Sequence, residues 1–150
     1  MSMLKEGDFA PNFVLKCTEG NYHSLYSFLG KKVVVYFYPK DDTPGCTKEA
    51  HGFKEDYKEI RRKNAIIIGI SADGVDSHLN FKKKHELPFM LLSDPDYIVA
   101  KKYEVLKKFL GFNLKKIKRM TFLIDEKGKI MKIFNEVNPE GHSKEILSLL

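Results

Sequence analysis

The chain has 150 residues, 43% hydrophobic and 31% charged, a makeup that suits one globular domain with a sizeable core and leaves too little chain for two. No apolar run reaches the ~20 residues of a membrane-spanning helix, and two cysteines, Cys17 and Cys46, are too few for a disulfide scaffold. That lack of a spanning run leaves no membrane partner expected. The formal net charge is +6 and the pI near 9.2, yet the lysines are spread over Lys31-Lys32, Lys82-Lys83-Lys84, Lys101-Lys102, Lys107-Lys108 and Lys115-Lys116 with no helix-turn-helix, zinc-finger or RNP pattern, so nucleic acid is not the expected partner either.

The first residues, Met1 to Asp8, lack the apolar core of a secretory signal, and with free thiols the expectation is a cytoplasmic protein. From Phe13 to Leu15 a short strand runs into the turn Thr18-Glu19-Gly20-Asn21 and returns through Tyr22 and Ser24, an N-terminal hairpin. Leu25 to Leu29 fits one helical turn closed by Gly30. Val33 to Tyr38 is uninterruptedly apolar, the pattern of a strand buried on both faces. Pro39 stops it, having no N–H for a ladder. Thr43 then reads as an N-cap and Pro44 as the first helical residue. The helix they open runs to Arg62, with Ala50, Phe53, Tyr57 and Ile60 at helical spacing. Cys46 falls in its first turn, where unpaired N–H groups and the helix dipole favour a thiolate.

Ala65 to Ile70 is a second buried strand, followed by a helix over Asp76 to His85 and a short strand, Met90 to Leu92. Ser93-Asp94-Pro95 reads as the cap and first position of a helix through about Tyr103. Leu106 to Lys118, with Gly111 and scattered apolar residues, shows no clear period. Arg119 to Asp125, the turn Glu126-Lys127-Gly128 and Lys129 to Phe134 form a β-hairpin. Asn138-Pro139 opens a closing helix with apolar Ile146, Leu147 and Leu150. No repeat or linker divides residues 1–150, so a single domain is expected. Strand–helix–strand alternation followed by a hairpin and a helix predicts an α/β protein, a mixed central sheet flanked by helices.

Pro39-x-x-x-Thr43-x-x-Cys46 resembles the peroxidatic motif of the peroxiredoxins. The longer string from Phe37 to Ala50 (Phe-Tyr-Pro-Lys-Asp-Asp-Thr-Pro-Gly-Cys-Thr-Lys-Glu-Ala) is similar to that of their Q branch, the bacterioferritin comigratory proteins. The likeness extends from Gly7-Asp8-Phe9-Ala10-Pro11-Asn12-Phe13 to the final helix. It implies a thioredoxin-like fold with an N-terminal hairpin extension and an inserted helix–strand–helix region. It also implies thiol-dependent reduction of hydrogen peroxide and alkyl hydroperoxides through a sulfenic acid at Cys46. The reductant would be a thioredoxin-like protein or a small thiol, with no cofactor. Thioredoxins place Cys-x-x-Cys at this helix start; here Thr43 holds the first position, so dithiol exchange within the motif is ruled out.

By the same resemblance Arg119 supplies a guanidinium to the reacting oxygens, Glu49 holds Arg119 in a fork, and Pro39 shields the sulfur. By residue type alone Arg119 is a solvated strand-end charge and Glu49 a surface carboxylate. Such donors are needed. Lowering a thiol pKa from ~8.5 to ~6 raises its thiolate fraction at pH 7 from ~3% to ~90% but costs about tenfold in intrinsic nucleophilicity. The net is a few-fold, so the rate must come from stabilising charge in the transition state, by Arg119, the Thr43 hydroxyl and the N–H groups of Gly45 and Cys46.

His23, His51, His78, His85 and His142 show no ligand spacing with cysteines, and no phosphate loop is present, so neither a metal nor a nucleotide site is expected. Many Q-branch members carry a second cysteine five residues after the first. Here His51 stands there, and the Asp76–His85 helix holds no cysteine either. Cys17, in Lys16-Cys17-Thr18-Glu19, lacks an electropositive setting and reads as incidental. The expected cycle therefore uses one cysteine and an external thiol, in a monomer or weak homodimer. Two rival readings are a redox sensor or holdase that uses Cys46 oxidation as a signal, and a basic binding module on an inert scaffold.

Overall fold

Two segments have no polar face to turn outward, and they form the centre of the sheet. In β3 (Lys32–Phe37) every residue after Lys32 is buried, and it pairs in parallel with β4 (Ala65–Ser71) from Lys32↔Ala65 to Phe37↔Ile70. The computed structural model describes residues 3–150; Met1 and Ser2, part of the stretch read for a secretory signal, lie outside it. The other strands of this sheet are β1 (Val14–Cys17), β2 (Tyr22–Ser24), β5 (Met90–Ser93), β8 (Met120–Ile124) and β9 (Ile130–Phe134). The order is β2-β1-β5-β4-β3-β8-β9, with β3, β4 and β5 parallel and the remaining pairings antiparallel. This is the predicted mixed sheet, and the N-terminal hairpin extends its edge through β5.

Alternation along β3 splits the core into two layers. Val33, Val35 and Phe37 point to one face, with Phe13, Cys17, Tyr103 and Phe122. Val34 and Tyr36, with Tyr38 beyond the strand end, point to the other. There they meet Cys46, Ala50 and Phe53 of α1 (Pro44–Glu55) and Ile60 of α2 (Tyr57–Arg62). Tyr36 lies flat across β4 because residue 69 is glycine.

Four elements differ from expectation. The helix predicted through Arg62 breaks at Asp56, whose backbone sits at φ −95°, ψ 8°. The Asp56 carboxylate is drawn out of helical register by Ser143 Oγ at 2.7 Å and Lys144 Nζ at 3.0 Å, both on α5 (His142–Leu147). α4 (Ile98–Lys102) starts later than Pro95 because the Asp94 N–H still extends the sheet, donating to the Ser71 carbonyl at 2.9 Å. Asp94 does cap the helix, accepting from the N–H groups of Val99 and Ala100 at 3.2 and 2.8 Å. α5 likewise begins three residues after Pro139, because Asn138 Oδ1 accepts from the Glu140 N–H at 3.0 Å in a local turn.

The fourth difference is the segment without a readable period. It forms a separate two-stranded hairpin, β6 (Leu106–Phe109) and β7 (Phe112–Ile117), outside the central sheet. Leu110 and Gly111 make its two-residue turn, at φ 50° and 81°. α3 (Val75–His85) matches its prediction within one residue and packs against β5.

A methyl group on Gly69 would lie 2.8 Å from Tyr36 Cζ and 2.9 Å from Leu91 Cδ2, both in fully buried side chains. Gly69→Ala is expected to cost about 1–3 kcal/mol, measured as a shift in the urea midpoint with the folded-state circular dichroism unchanged. An unshifted midpoint would show that the Tyr36 ring has room to retreat.

Candidate active site

Where β3 ends, the chain passes Pro39, exposed in a bend, and is then tied down on α3. Asp41 is buried. Its carboxylate accepts from Tyr38 Oη at 2.6 Å and Ser77 Oγ at 2.8 Å and meets His78 Nδ1 at 2.7 Å. Its N–H donates to Asp73 Oδ2 at 2.8 Å. Asp42 follows in the left-handed region, φ 58°, with its carboxylate 2.7 Å from Lys84 Nζ and 3.0 Å from His85 Nε2. These anchors fix where α1 starts. Sequence reasoning singled out neither Asp41 nor His78; the one available signal was an Asp-Asp pair two residues after a strand-ending proline.

Thr43 has the extended backbone of an N-cap, φ −90°, ψ 157°, and its carbonyl accepts from the Thr47 N–H at 2.8 Å. The expected side-chain cap is not made. Its hydroxyl donates instead to the Lys40 carbonyl at 2.9 Å. Pro44 has no N–H to satisfy. The N–H groups of Gly45 and Cys46, which a capping side chain would have occupied, are therefore left at the mouth of the helix.

Cys46 is 2% exposed. Arg119, just ahead of β8, places Nη2 3.3 Å from Cys46 Sγ and Nη1 2.7 Å from Glu49 Oε1. The guanidinium thus bridges thiol and carboxylate, rather than meeting the carboxylate with both prongs of a fork. Gly45 makes this approach possible, since a Cβ there would sit 3.0 Å from Nη2. Glu49 is not the surface carboxylate its residue type suggested: it is 1% exposed. Burial pushes its carboxyl up to about 7 from an ordinary 4.5, against the charge and hydrogen bond of Arg119. Two buried polar atoms here have no partner, Glu49 Oε2 and the Tyr36 hydroxyl. Beside them His142 shares a 2.8 Å contact with Thr121 Oγ1 and a 3.0 Å contact with Glu145. Burial, helped by the charge of Arg119, shifts its imidazole below the usual range against the opposing pull of Glu145.

The structure brings Cys46, Glu49 and Arg119 together, with Thr43 at the start of the same helix; Pro39 is exposed in the bend after β3, and no described contact joins it to the sulfur. It leaves Cys17 apart. Cys17 belongs to the core layer on the opposite face of the sheet, its Sγ 3.3 Å from Glu19 Oε2. His51, at the position of the second cysteine in many relatives, is exposed and lies 3.0 Å from His85 Nδ1. Asp41, Asp73 and His78 place ligand-type atoms within 4.8 Å of one another. Their atoms are already engaged with Tyr38, Ser77, Ser71 and the Leu92 carbonyl, an anchor for the loop.

A thioredoxin-type sheet with a single thiol at a helix start, facing a guanidinium, defines a class. Residues 7–133 match the AhpC/TSA family, and the chain belongs to it. Within the family it is a peroxiredoxin of the Bcp or Q type, a thiol-dependent peroxidase. A Bcp peroxiredoxin of Coxiella burnetii is 46% identical over 149 residues, covering 98% of this chain and 99% of that one. A cysteine-to-serine mutant of Xylella fastidiosa PrxQ superposes with a TM-score of 0.91 at 32% identity, covering 99% of this chain and 96% of that one. The bacterioferritin comigratory protein of Xanthomonas campestris, a protein studied for alkyl peroxide reduction, gives 0.86 at 34% identity over 91% and 88%.

The buried Glu49 makes stability depend on pH. Its folded-state value, about 7, lies above the unfolded 4.5, so the unfolded state releases the proton first as pH rises. Wild type should then lose about 3 kcal/mol relative to Glu49→Gln between pH 4.5 and a little above 7, and no more beyond. Urea unfolding of both proteins across this range checks it. Parallel profiles would mean that Arg119 keeps Glu49 ionised throughout.

Proposed function

We propose that Cys46 is the peroxidatic thiol, that Arg119 and the helix-start N–H groups stabilise its transition state, and that an external thiol closes a one-cysteine cycle. The observation that carries this reading is the 3.3 Å contact between Arg119 Nη2 and Cys46 Sγ, with Glu49 fixed behind it. The thiolate attacks one peroxide oxygen; the S–O bond forms as the O–O bond breaks. Charge leaves sulfur for the departing oxygen, which takes up a proton and leaves as water or an alcohol, and Cys46 becomes a sulfenic acid. Donors aimed at both oxygens lower this barrier. The Gly45 and Cys46 N–H groups are free for one of them, and Arg119 spans sulfur and substrate. The Thr43 hydroxyl has given its proton to Lys40, so its role is to accept one from the peroxide. Pro39 covers the sulfur from the solvent side. The substrates are hydrogen peroxide and alkyl hydroperoxides, in line with the activity studied in the Xanthomonas relative.

Stopped-flow peroxide consumption separates the roles. Cys46→Ser abolishes the reaction, and Cys17→Ser keeps the first oxidation step. Arg119→Met slows attack by roughly 10²–10³, more than its change in thiolate fraction explains. Slowing that tracks thiolate fraction alone would remove the transition-state role.

The cycle closes from outside because the two cysteines lie in core layers on opposite faces of the sheet. A disulfide needs Cα atoms within about 7 Å. A thioredoxin-like protein or a small thiol therefore attacks the Cys46 sulfenate, and the reduced thiol supply this requires fits the cytoplasm. In a non-reducing peptide map after stoichiometric peroxide, the expected products are Cys46 sulfenic acid and, with excess peroxide, sulfinic acid. A quantitative Cys17–Cys46 crosslink would make this a two-cysteine enzyme instead.

A further inference from the structure

The hairpin β6–β7 buries Leu106 and Ile117 at its base and turns its other apolar residues to solvent. Phe109, Leu110, Phe112 and Leu114 are 63%, 80%, 75% and 40% exposed, and none packs against either core layer. Phe109 pairs with Phe112 across the strands and Leu114 follows two residues on, so these three share one face, with Leu110 at the tip. Leu110 sits at φ 50°, in a turn whose two central residues are both left-handed. Asn, Asp or Gly suits that position, and a leucine gains nothing there from folding.

Lysines flank this apolar tip along the two strands, with Lys118 just past the hairpin's base. Lys107, Lys108, Lys115, Lys116 and Lys118 supply five charges of a formal net +6, and no acidic residue occurs between Val105 and Thr121. None of the five forms an ion pair among the described residues. The nearest acid along the chain, Glu104, is occupied with the Leu4 N–H at 3.0 Å. Five of the 26 Lys and Arg residues thus sit on or beside this one element with no acid among them.

We propose that this hairpin docks the protein on the surface of an anionic lipid bilayer, the tip entering the acyl boundary while the lysines meet headgroup phosphates. This departs from the expectation of no membrane partner, which rested on the absence of a spanning segment. A second copy of the chain is a poorer occupant, because pairing the tips would bring five lysines against five. A nucleic acid would satisfy the lysines and leave Leu110 and Leu114 in water. The inference is independent of the peroxidase chemistry.

Co-sedimentation of the full chain with phosphatidylcholine vesicles, with and without phosphatidylglycerol, tests it. Wild type binds only the anionic vesicles. The triple variant Phe109→Ser, Leu110→Asn, Phe112→Ser keeps every charge and weakens binding more than about tenfold. Lys115→Gln and Lys116→Gln each weaken it about fivefold. Leu110→Asn alone, which suits the left-handed turn, serves as the variant sure to fold and also weakens binding. An unchanged melting midpoint verifies each variant. The proposal is overturned if anionic vesicles do not retain wild type, or if the triple variant binds as well as wild type. Tighter binding of a single-stranded oligonucleotide than of vesicles, or a dimer in sedimentation velocity that Leu110→Asn dissolves, overturns it too.

Discussion

A carboxylate with almost no access to water holds a guanidinium against a thiol, and much of the molecule is arranged to permit that contact. Glu49 and Arg119 are not paired for stability. An ion pair taken out of water recovers its desolvation cost only when the remaining atoms are also satisfied, and Glu49 Oε2 is not. That oxygen and the Tyr36 hydroxyl each carry a cost of about 1–3 kcal/mol that an apolar pair would avoid. What the arrangement supplies is position. Nη1 is committed to Glu49, so Nη2 has one place to be, and that place is 3.3 Å from the sulfur.

Position in turn depends on backbone. A side chain at residue 45 would crowd the guanidinium on the first turn of α1, its Cβ 3.0 Å from Nη2, and glycine leaves that space open. The first turn must begin where it does, which is the work of the Asp41 carboxylate and its three side-chain contacts. The Thr43 hydroxyl belongs to the same set of constraints. By turning to the Lys40 carbonyl it forgoes the capping bond worth about 1 kcal/mol in an ordinary helix and leaves two N–H groups open. Capping and the proposed anion stabilisation would draw on the same donors at this helix start, and the Thr43 side chain does not take them.

The sheet was legible because buried strands write themselves as unbroken apolar runs, Val33 to Tyr38 and Ala65 to Ile70. Cys46 was legible from Pro39, Thr43 and the helix start. Arg119 and Glu49 were visible only through family resemblance, since a strand-end arginine and a helix glutamate look the same whether exposed or buried. The anchors Asp41 and His78 escaped because their role is set by α3, more than thirty residues away. The break at Asp56 and the late start of α4 share a cause: an aspartate whose local pattern says helix is claimed by a distant element, α5 in one case and β4 in the other. The β6–β7 hairpin had no burial pattern to read, as it has almost no buried face.

The burial that tightens the Cys46–Arg119 contact also sets the terms of its reduction. A sulfur 2% exposed is within reach of a small peroxide entering at the helix mouth, but the thiol of a protein cannot approach it in line. If Cys46 is the thiol that turns over and a protein reduces it, the first turn of α1 has to loosen. Its tethers are of two kinds: polar contacts, from Asp42 to Lys84 and His85, from Thr43 to the Lys40 carbonyl and from Arg119 to Cys46, and the packing of Cys46 itself in the core layer under α1. Lys84 and Asp42 are both substantially exposed, so that pair contributes little in water. The deep anchor, Asp41, lies on the strand side of the turn and can stay in place while residues 42–46 move. Loosening would therefore break exposed pairs, give up the Arg119–Cys46 contact and withdraw one sulfur from its core layer, while the apolar packing of β3 and α3 that Asp41 ties together stays in place.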